Sequence, residues 1–121
     1  MNLGAIESRF ADIIWSKEPL TTGELVKLAE KEFNWKRTTT YTILKRLCEK
    51  GLFVNNSGTV SSLISRDDFF ARQSEDFINE TFSGSLPAFI AAFSKRNKLK
   101  DADVKKLQEL IDEMKEDRYD E

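Results

Sequence analysis

The chain has 121 residues, with 19 Lys and Arg, 21 Asp and Glu, no His, one Cys and a formal charge of −2. That length suits one domain, or one small domain with an appendage, and the 40% hydrophobic content is enough for a core. Without His, single-chain Ser-His-Asp, Cys-His and His-zinc sites are excluded, and one Cys excludes an intrachain disulfide or a multi-thiolate metal site.

No enzymatic activity, metal or cofactor is therefore expected. The N-terminal stretch from Met1 to Phe10 has neither the basic nor the apolar region of a signal peptide. No apolar run approaches the ~20 residues of a membrane span. The expectation is a soluble cytoplasmic protein without a membrane partner.

Residues 3–16 read as a helix, because Leu3, Ile6, Phe10, Ile13 and Ile14 recur at helical spacing. Pro19 closes it. A second helix starts at Thr21, which is placed to cap the N–H of Glu24 while Glu24 reaches back. Leu20 and Leu25 are spaced as a hydrophobic staple, and Leu25, Leu28 and Ala29 face inward. This helix frays near Phe33 and Asn34.

A third helix spans about Arg37 to Lys50, with Gly51 where a helix end favours glycine. Leu44, Leu47 and Cys48 mark its inner side. At ~100° per residue, Arg37, Thr40 and Tyr41 lie near that side, toward its edges. Thr38, Thr42, Lys45, Arg46 and Glu49 point away, with Thr39 on the flank. Leu52 to Val54 then forms a strand, Asn55-Asn56-Ser57-Gly58 a turn, and Thr59 to Ile64 the returning strand.

Three more helices follow. Ser65 caps one that carries Phe70, Phe77, Ile78 and Phe82. Ser83-Gly84-Ser85 breaks it. Ser85 caps a shorter helix with Leu86, Phe89, Ile90 and Phe93, and Pro87 is tolerable in its first turn. Asp101 caps the last, with Val104, Leu107, Leu110, Ile111 and Met114.

The fold class is mainly α with a small β-hairpin wing. Residues 1–66 form a winged helix-turn-helix, and residues 67–121 form a C-terminal helical dimerisation arm. The charge divides in the same way. Residues 1–66 hold 10 Lys and Arg against 7 Asp and Glu, and residues 67–121 hold 9 against 14. The first part is thus +3 and the second −5. Lys36, Arg37, Lys45, Arg46 and Lys50 cluster around the third helix. Such asymmetry hints at nucleic-acid contact through one part only, although a solvated helix face has the same composition.

A major groove ~12 Å wide admits one helix. Short Thr side chains let its backbone approach base edges, and flanking cations hold phosphates. The candidate contacts to double-stranded DNA are Lys36, Arg37, Thr38, Thr39, Thr42, Lys45 and Arg46, with Asn55 and Asn56 on the wing. Trp35 reads as a core or hinge residue and Cys48 as a small buried hydrophobe.

Six of the nine Phe lie in residues 67–121, too much aromatic surface for three modest helices to bury. A large exposed apolar patch marks an interaction surface. The candidate dimer interface comprises Phe70, Phe77, Phe82, Leu86, Phe89, Ile90, Phe93, Leu107, Leu110 and Ile111. A second reading keeps the same fold as a protein-interaction module that does not read DNA sequence.

Ile6 to Trp15, Pro19 to Leu25 and above all Trp35 to Leu52 resemble the penicillinase-repressor (BlaI/MecI/CopY) family of bacterial transcription factors. The shared pattern is a Trp, a Thr-rich helix start, Leu44-x-x-Leu47 and Lys50-Gly51 before the wing. Leu107 to Ile111 resembles the family's dimerisation helices. The resemblance implies a homodimeric winged-helix repressor on a palindromic operator. In β-lactam-responsive members it implies release by proteolysis in the arm, triggered by a membrane-bound sensor; the corresponding region here is around Ala91-Ala92-Phe93.

Three features depart from the pattern. The C-terminal cysteine cluster of copper-responsive members is absent. The wing tip lacks the basic residue, and its returning strand the aromatic, that many members carry.

Overall fold

The structure, a computed structural model, describes residues 3–119. In chain order the elements are α1 (Ala5–Lys17), β1 (Leu20–Thr21), α2 (Thr22–Phe33), α3 (Arg37–Glu49), β2 (Phe53–Asn56), β3 (Thr59–Ser62), α4 (Arg66–Phe82), α5 (Leu86–Arg96) and α6 (Asp101–Tyr119). This is the expected winged helix-turn-helix followed by helices. The chain divides into two compact units, one ending at Phe77 and the other starting at Ile78.

The first unit is built around Phe10, Ala11 and Ile14 of α1. All three are fully buried, together with Leu25 and Ala29 of α2 and Leu47 of α3. Their spacing gives each short helix one apolar side, and Leu20, Leu52, Phe53 and Val60 complete the same core. Phe10 sits at the centre, with Phe33 and Trp35 packed on its ring. Trp35 is thus a core residue.

Local chemistry sets the helix boundaries. Thr21 Oγ1 accepts from the Glu24 N–H at 3.1 Å, as the capping spacing predicts. Asn34 ends α2 in the left-handed region, φ 57°, which Asn tolerates better than most residues. Gly51 at φ 82° turns the chain after α3. Ser65 and Ser85 cap α4 and α5 through the N–H groups of Asp68 and Ala88. Asp101 is the first residue of α6 rather than its cap. The preceding residue, Lys100, offers its carbonyl to Asp103 and Val104.

The sheet differs from expectation in two ways. It has three strands, in the order β1-β3-β2. Leu20 and Thr21 pair with Val60 and Thr59 before the chain enters α2. Two residues carry no periodicity, so nothing local announces this strand. The hairpin turn is also tighter than four residues. Asn55 and Asn56 belong to β2, opposite Val60 and Thr59, leaving Ser57 and Gly58 as the loop. Both have positive φ, 50° and 93°, a type I′ turn whose twist matches the flanking strands. Leu52 and Ile64, expected within strands, lie just outside them.

Trp15 joins three elements. Its Nε1–H donates to the Ile64 carbonyl at 3.0 Å. Its ring packs on Phe53, Phe69 and Phe70. The start of α4 is thereby part of the first unit's core, which is why that unit continues past residue 66. In the second unit Phe82 meets Phe89 edge to face, and Phe89 meets Phe93.

Phe10→Ala removes a fully buried ring that two other rings enclose. It is expected to cost about 3–5 kcal/mol of unfolding free energy, read as a lower urea midpoint. That is a large share of the ~5–15 kcal/mol typical of a domain.

Candidate nucleic-acid interface

The α3 helix has two chemically different sides. Thr40, Leu44 and Leu47 are buried, with Thr40 only 2% exposed. Thr38, Thr39, Thr42, Lys45 and Arg46 are exposed. The pitch of the helix separates the two sets, because residues at i, i+4 and i+7 share a face. The sequence-predicted contacts on α3 therefore come together on its outer face, with Lys36 and Arg37 exposed at its start.

The threonines do not cap α3. Its N-cap is Lys36, without a side-chain cap bond. Thr40 Oγ1 donates to the Lys36 carbonyl at 3.2 Å, which satisfies a buried hydroxyl. Thr42 Oγ1 donates to the Thr38 carbonyl at 2.9 Å. That bond takes the Thr42 hydroxyl proton, so outward it presents oxygen lone pairs and a methyl group. Thr38 and Thr39 keep exposed hydroxyls.

The cations differ in what holds them. Lys50 is tied to Glu7 at 3.2 Å, so the carboxylate offsets its charge. Arg66 is tied to Asp12 at 2.8 Å and lies over the Phe70 ring. None of the ion pairs among the described residues involves Lys36, Arg37, Lys45 or Arg46. Arg37 is held instead by Tyr41, whose ring and hydroxyl it touches. In the sequence only the i, i+4 spacing of the two residues signals this pairing.

The wing is pinned from two sides. Glu18 Oε1 accepts from both the N–H and the hydroxyl of Ser62, at 2.9 and 2.7 Å. Asn55 Oδ1 accepts from the Gly58 N–H at 2.9 Å, closing the hairpin turn. The Asn55 carbonyl oxygen thus belongs to the wing's own architecture. Its amide N–H groups, and the exposed Asn56, remain for neutral contacts.

The predicted interface residues fall into two sets. Phe70 is half-buried against the first unit's core, on Trp15 and Phe69. Phe77 closes that unit with 48% of its surface exposed. The second unit holds Phe82, Leu86, Phe89, Ile90, Phe93, Leu107, Leu110 and Ile111. Phe89, Ile90, Phe93, Leu99, Leu107 and Leu110 line one apolar groove, edged by Asp103 and Lys106. Leu86, Phe93, Leu110 and Ile111 are each about half exposed, as are Val104 and Met114.

A penicillinase repressor family model matches residues 3–113. The chain belongs to the penicillinase repressor family. It is 22% identical over 113 residues to the methicillin resistance regulatory protein MecI of Staphylococcus aureus strain Mu50, covering 90% of this chain and 92% of that protein. It is 23% identical over 107 residues to a penicillinase repressor of Staphylococcus aureus, covering 85% of each. Among solved structures it is similar to the multiple antibiotic-resistance repressor (MarR) of Listeria monocytogenes 4b F2365. That match has a TM-score of 0.46 at 15% identity, over 93% of this chain and 73% of that one.

Family membership and the winged helix together make this chain a DNA-binding transcriptional repressor rather than an enzyme. No helix among the described residues is long and apolar enough to cross a membrane.

Cys48 is half-buried on the inner side of α3 and packs against the core. Burial, and then the Glu49 carboxylate, push its thiol above the ordinary value. The thiolate is the reactive species. Alkylation of Cys48 by iodoacetamide is therefore expected to set in at higher pH than that of a free cysteine. Mass spectrometry across a pH series checks this.

Proposed function

We propose that this protein is a homodimeric repressor that holds a palindromic operator through α3 and releases it when a signal acts on the helices after residue 66. The observation that carries the DNA reading is the outer face of α3. Thr38, Thr39, Thr42, Lys45 and Arg46 stand exposed there, on the second helix of a helix-turn-helix with a hairpin behind it. Hydroxyls and methyls suit base edges, and unpaired cations suit phosphates. Asn55 and Asn56 add neutral wing contacts.

The dimer reading rests on exposed apolar surface. Leu86, Phe93, Leu110 and Ile111 would be costly to leave in water. A second copy offers the same apolar groove and the same protruding residues, which suits a two-fold interface. Two copies of α3 then match two half-sites about 34 Å apart, or a multiple of that. The proposed division of labour is reading by residues 1–66 and pairing by residues 67–121. Proteolysis in the arm by a sensor-linked protease is the form of release that family membership supports. Ala91, Ala92 and Phe93 are exposed on α5.

Gel shifts over a salt series test the DNA reading. Arg46→Ala is expected to weaken binding about equally on all sequences and to lower the salt slope by ~1. Thr39→Ala and Thr42→Ala are expected to relax sequence preference instead. Binding that ignores all three changes would overturn the assignment of α3. No retention of the wild type on duplex at ~50 mM salt would favour a protein-interaction module.

Light scattering tests the dimer separately. A mass near twice 14.0 kDa is expected at micromolar concentration, and a monomer mass removes the two-fold operator argument.

A further inference from the structure

Arg37 is the first residue of α3 and is exposed. Its guanidinium carbon lies 5.3 Å from the centroid of the Tyr41 ring. Its Nη2 donates to the Tyr41 hydroxyl at 3.3 Å. Tyr41 is half-buried, so its ring is a fixed platform one helical turn away. The guanidinium is thus held against one aromatic side chain, by its ring and its hydroxyl, with most of its N–H groups still unpaired.

Two features of this arrangement call for an anion from outside the chain. The first is the partner. Lys50 and Arg66 are each held by a carboxylate, which fixes the side chain but offsets its charge. Tyr41 fixes Arg37 and leaves the full charge in place. Glu30 borders the same recess as Arg37, and none of the ion pairs among the described residues involves it. The second is position. A helix N-terminus carries the positive end of the macrodipole, so a cation in the first turn is locally unfavourable. The first turn of α3 contains no acidic residue. Arg37 therefore adds its charge to the positive end of α3, where no carboxylate of the first turn offsets it.

The azimuth separates a phosphate from a base. At ~100° per residue, Arg37, Tyr41 and Lys45 form a row along one edge of α3, between the buried stripe and the Thr38–Thr42–Arg46 face. With that face toward the bases, this edge runs beside the groove wall, where phosphates lie.

We propose that Tyr41 is a positioning residue that holds Arg37 ready for a DNA backbone phosphate, and that Arg37 anchors the repressor without reading sequence. The proposal rests on α3 being the recognition helix. A pre-ordered guanidinium loses less freedom on binding than a free one, so Tyr41 contributes to affinity without touching DNA.

The test is a double-mutant cycle on the full chain, read by fluorescence anisotropy over a salt series. The probes are a duplex enriched by the wild type from a random library and a mixed-sequence duplex. Arg37→Ala is expected to weaken binding to both by a similar factor and to lower the salt slope by ~1. Tyr41→Leu keeps apolar bulk but removes the ring face. It is expected to weaken binding roughly two- to fivefold, and to add nothing in the Arg37→Ala background. Tyr41→Phe, which keeps the ring and loses only the hydroxyl, is expected to retain most of the affinity.

Independent, additive effects of Arg37→Ala and Tyr41→Leu overturn the positioning role. An unchanged salt slope in Arg37→Ala, or a changed base preference, overturns the phosphate contact. If Arg46→Ala weakens binding while Arg37→Ala does not, only the present proposal fails. If the wild type binds neither duplex, the recognition-helix reading fails and takes this proposal with it.

Discussion

Thr40, Leu44 and Leu47 descend one side of α3 into a core made by α1, α2 and the hairpin. That burial is the constraint on which the rest depends. A helix of 3.6 residues per turn cannot sink this stripe without turning Thr38, Thr42, Lys45 and Arg46 to solvent. The buried Thr40 shows how narrow the stripe is. A polar residue is admitted because its hydroxyl bonds back to the Lys36 carbonyl. The orientation of α3 is therefore set by apolar burial, and its outward chemistry was free to specialise.

The core also fixes what surrounds α3. Trp15 bonds the Ile64 carbonyl and packs against Phe53, Phe69 and Phe70, so α1, the hairpin and the start of α4 share one anchor. Glu18 holds Ser62, and Leu20 pairs with Val60. The wing is thereby part of a three-stranded sheet tied to the segment before α2, not a free hairpin. Such ties matter because an isolated two-stranded hairpin is marginal in water.

The second unit follows different physics. None of its described residues is buried, and several of its large apolar residues stand half exposed along α5 and α6. Its sequence holds 10 Asp and Glu against 8 Lys and Arg. A surface of this kind suits a like surface better than a polyanion. The contrast between the two units thus tracks the proposed contrast between reading DNA and pairing with a second copy.

Much of this was legible in the sequence. Periodicity marked all six helices, Thr21, Ser65 and Ser85 announced their caps, and Trp35 to Leu52 pointed to the family. The two-sided character of α3 followed from residue spacing alone, because helical pitch is a local property. Three things were not legible. Strand β1 is two residues long and exists only because Val60 is brought beside Leu20. Phe70 has the spacing of an exposed arm residue, yet Trp15 draws it to the first unit's core from 55 positions away.

Charge was the third. Composition counts Lys36, Arg37, Lys45, Arg46 and Lys50 as equal cations, but the fold pairs Lys50 with Glu7 and seats Arg37 on Tyr41. The net charge of −2 therefore says nothing about DNA. The sequence by itself determined which segments are helical and where positive residues concentrate, since both depend on neighbours along the chain. Only the tertiary structure decided which positive charges a carboxylate offsets and which it does not, because that depends on partners brought together by burial.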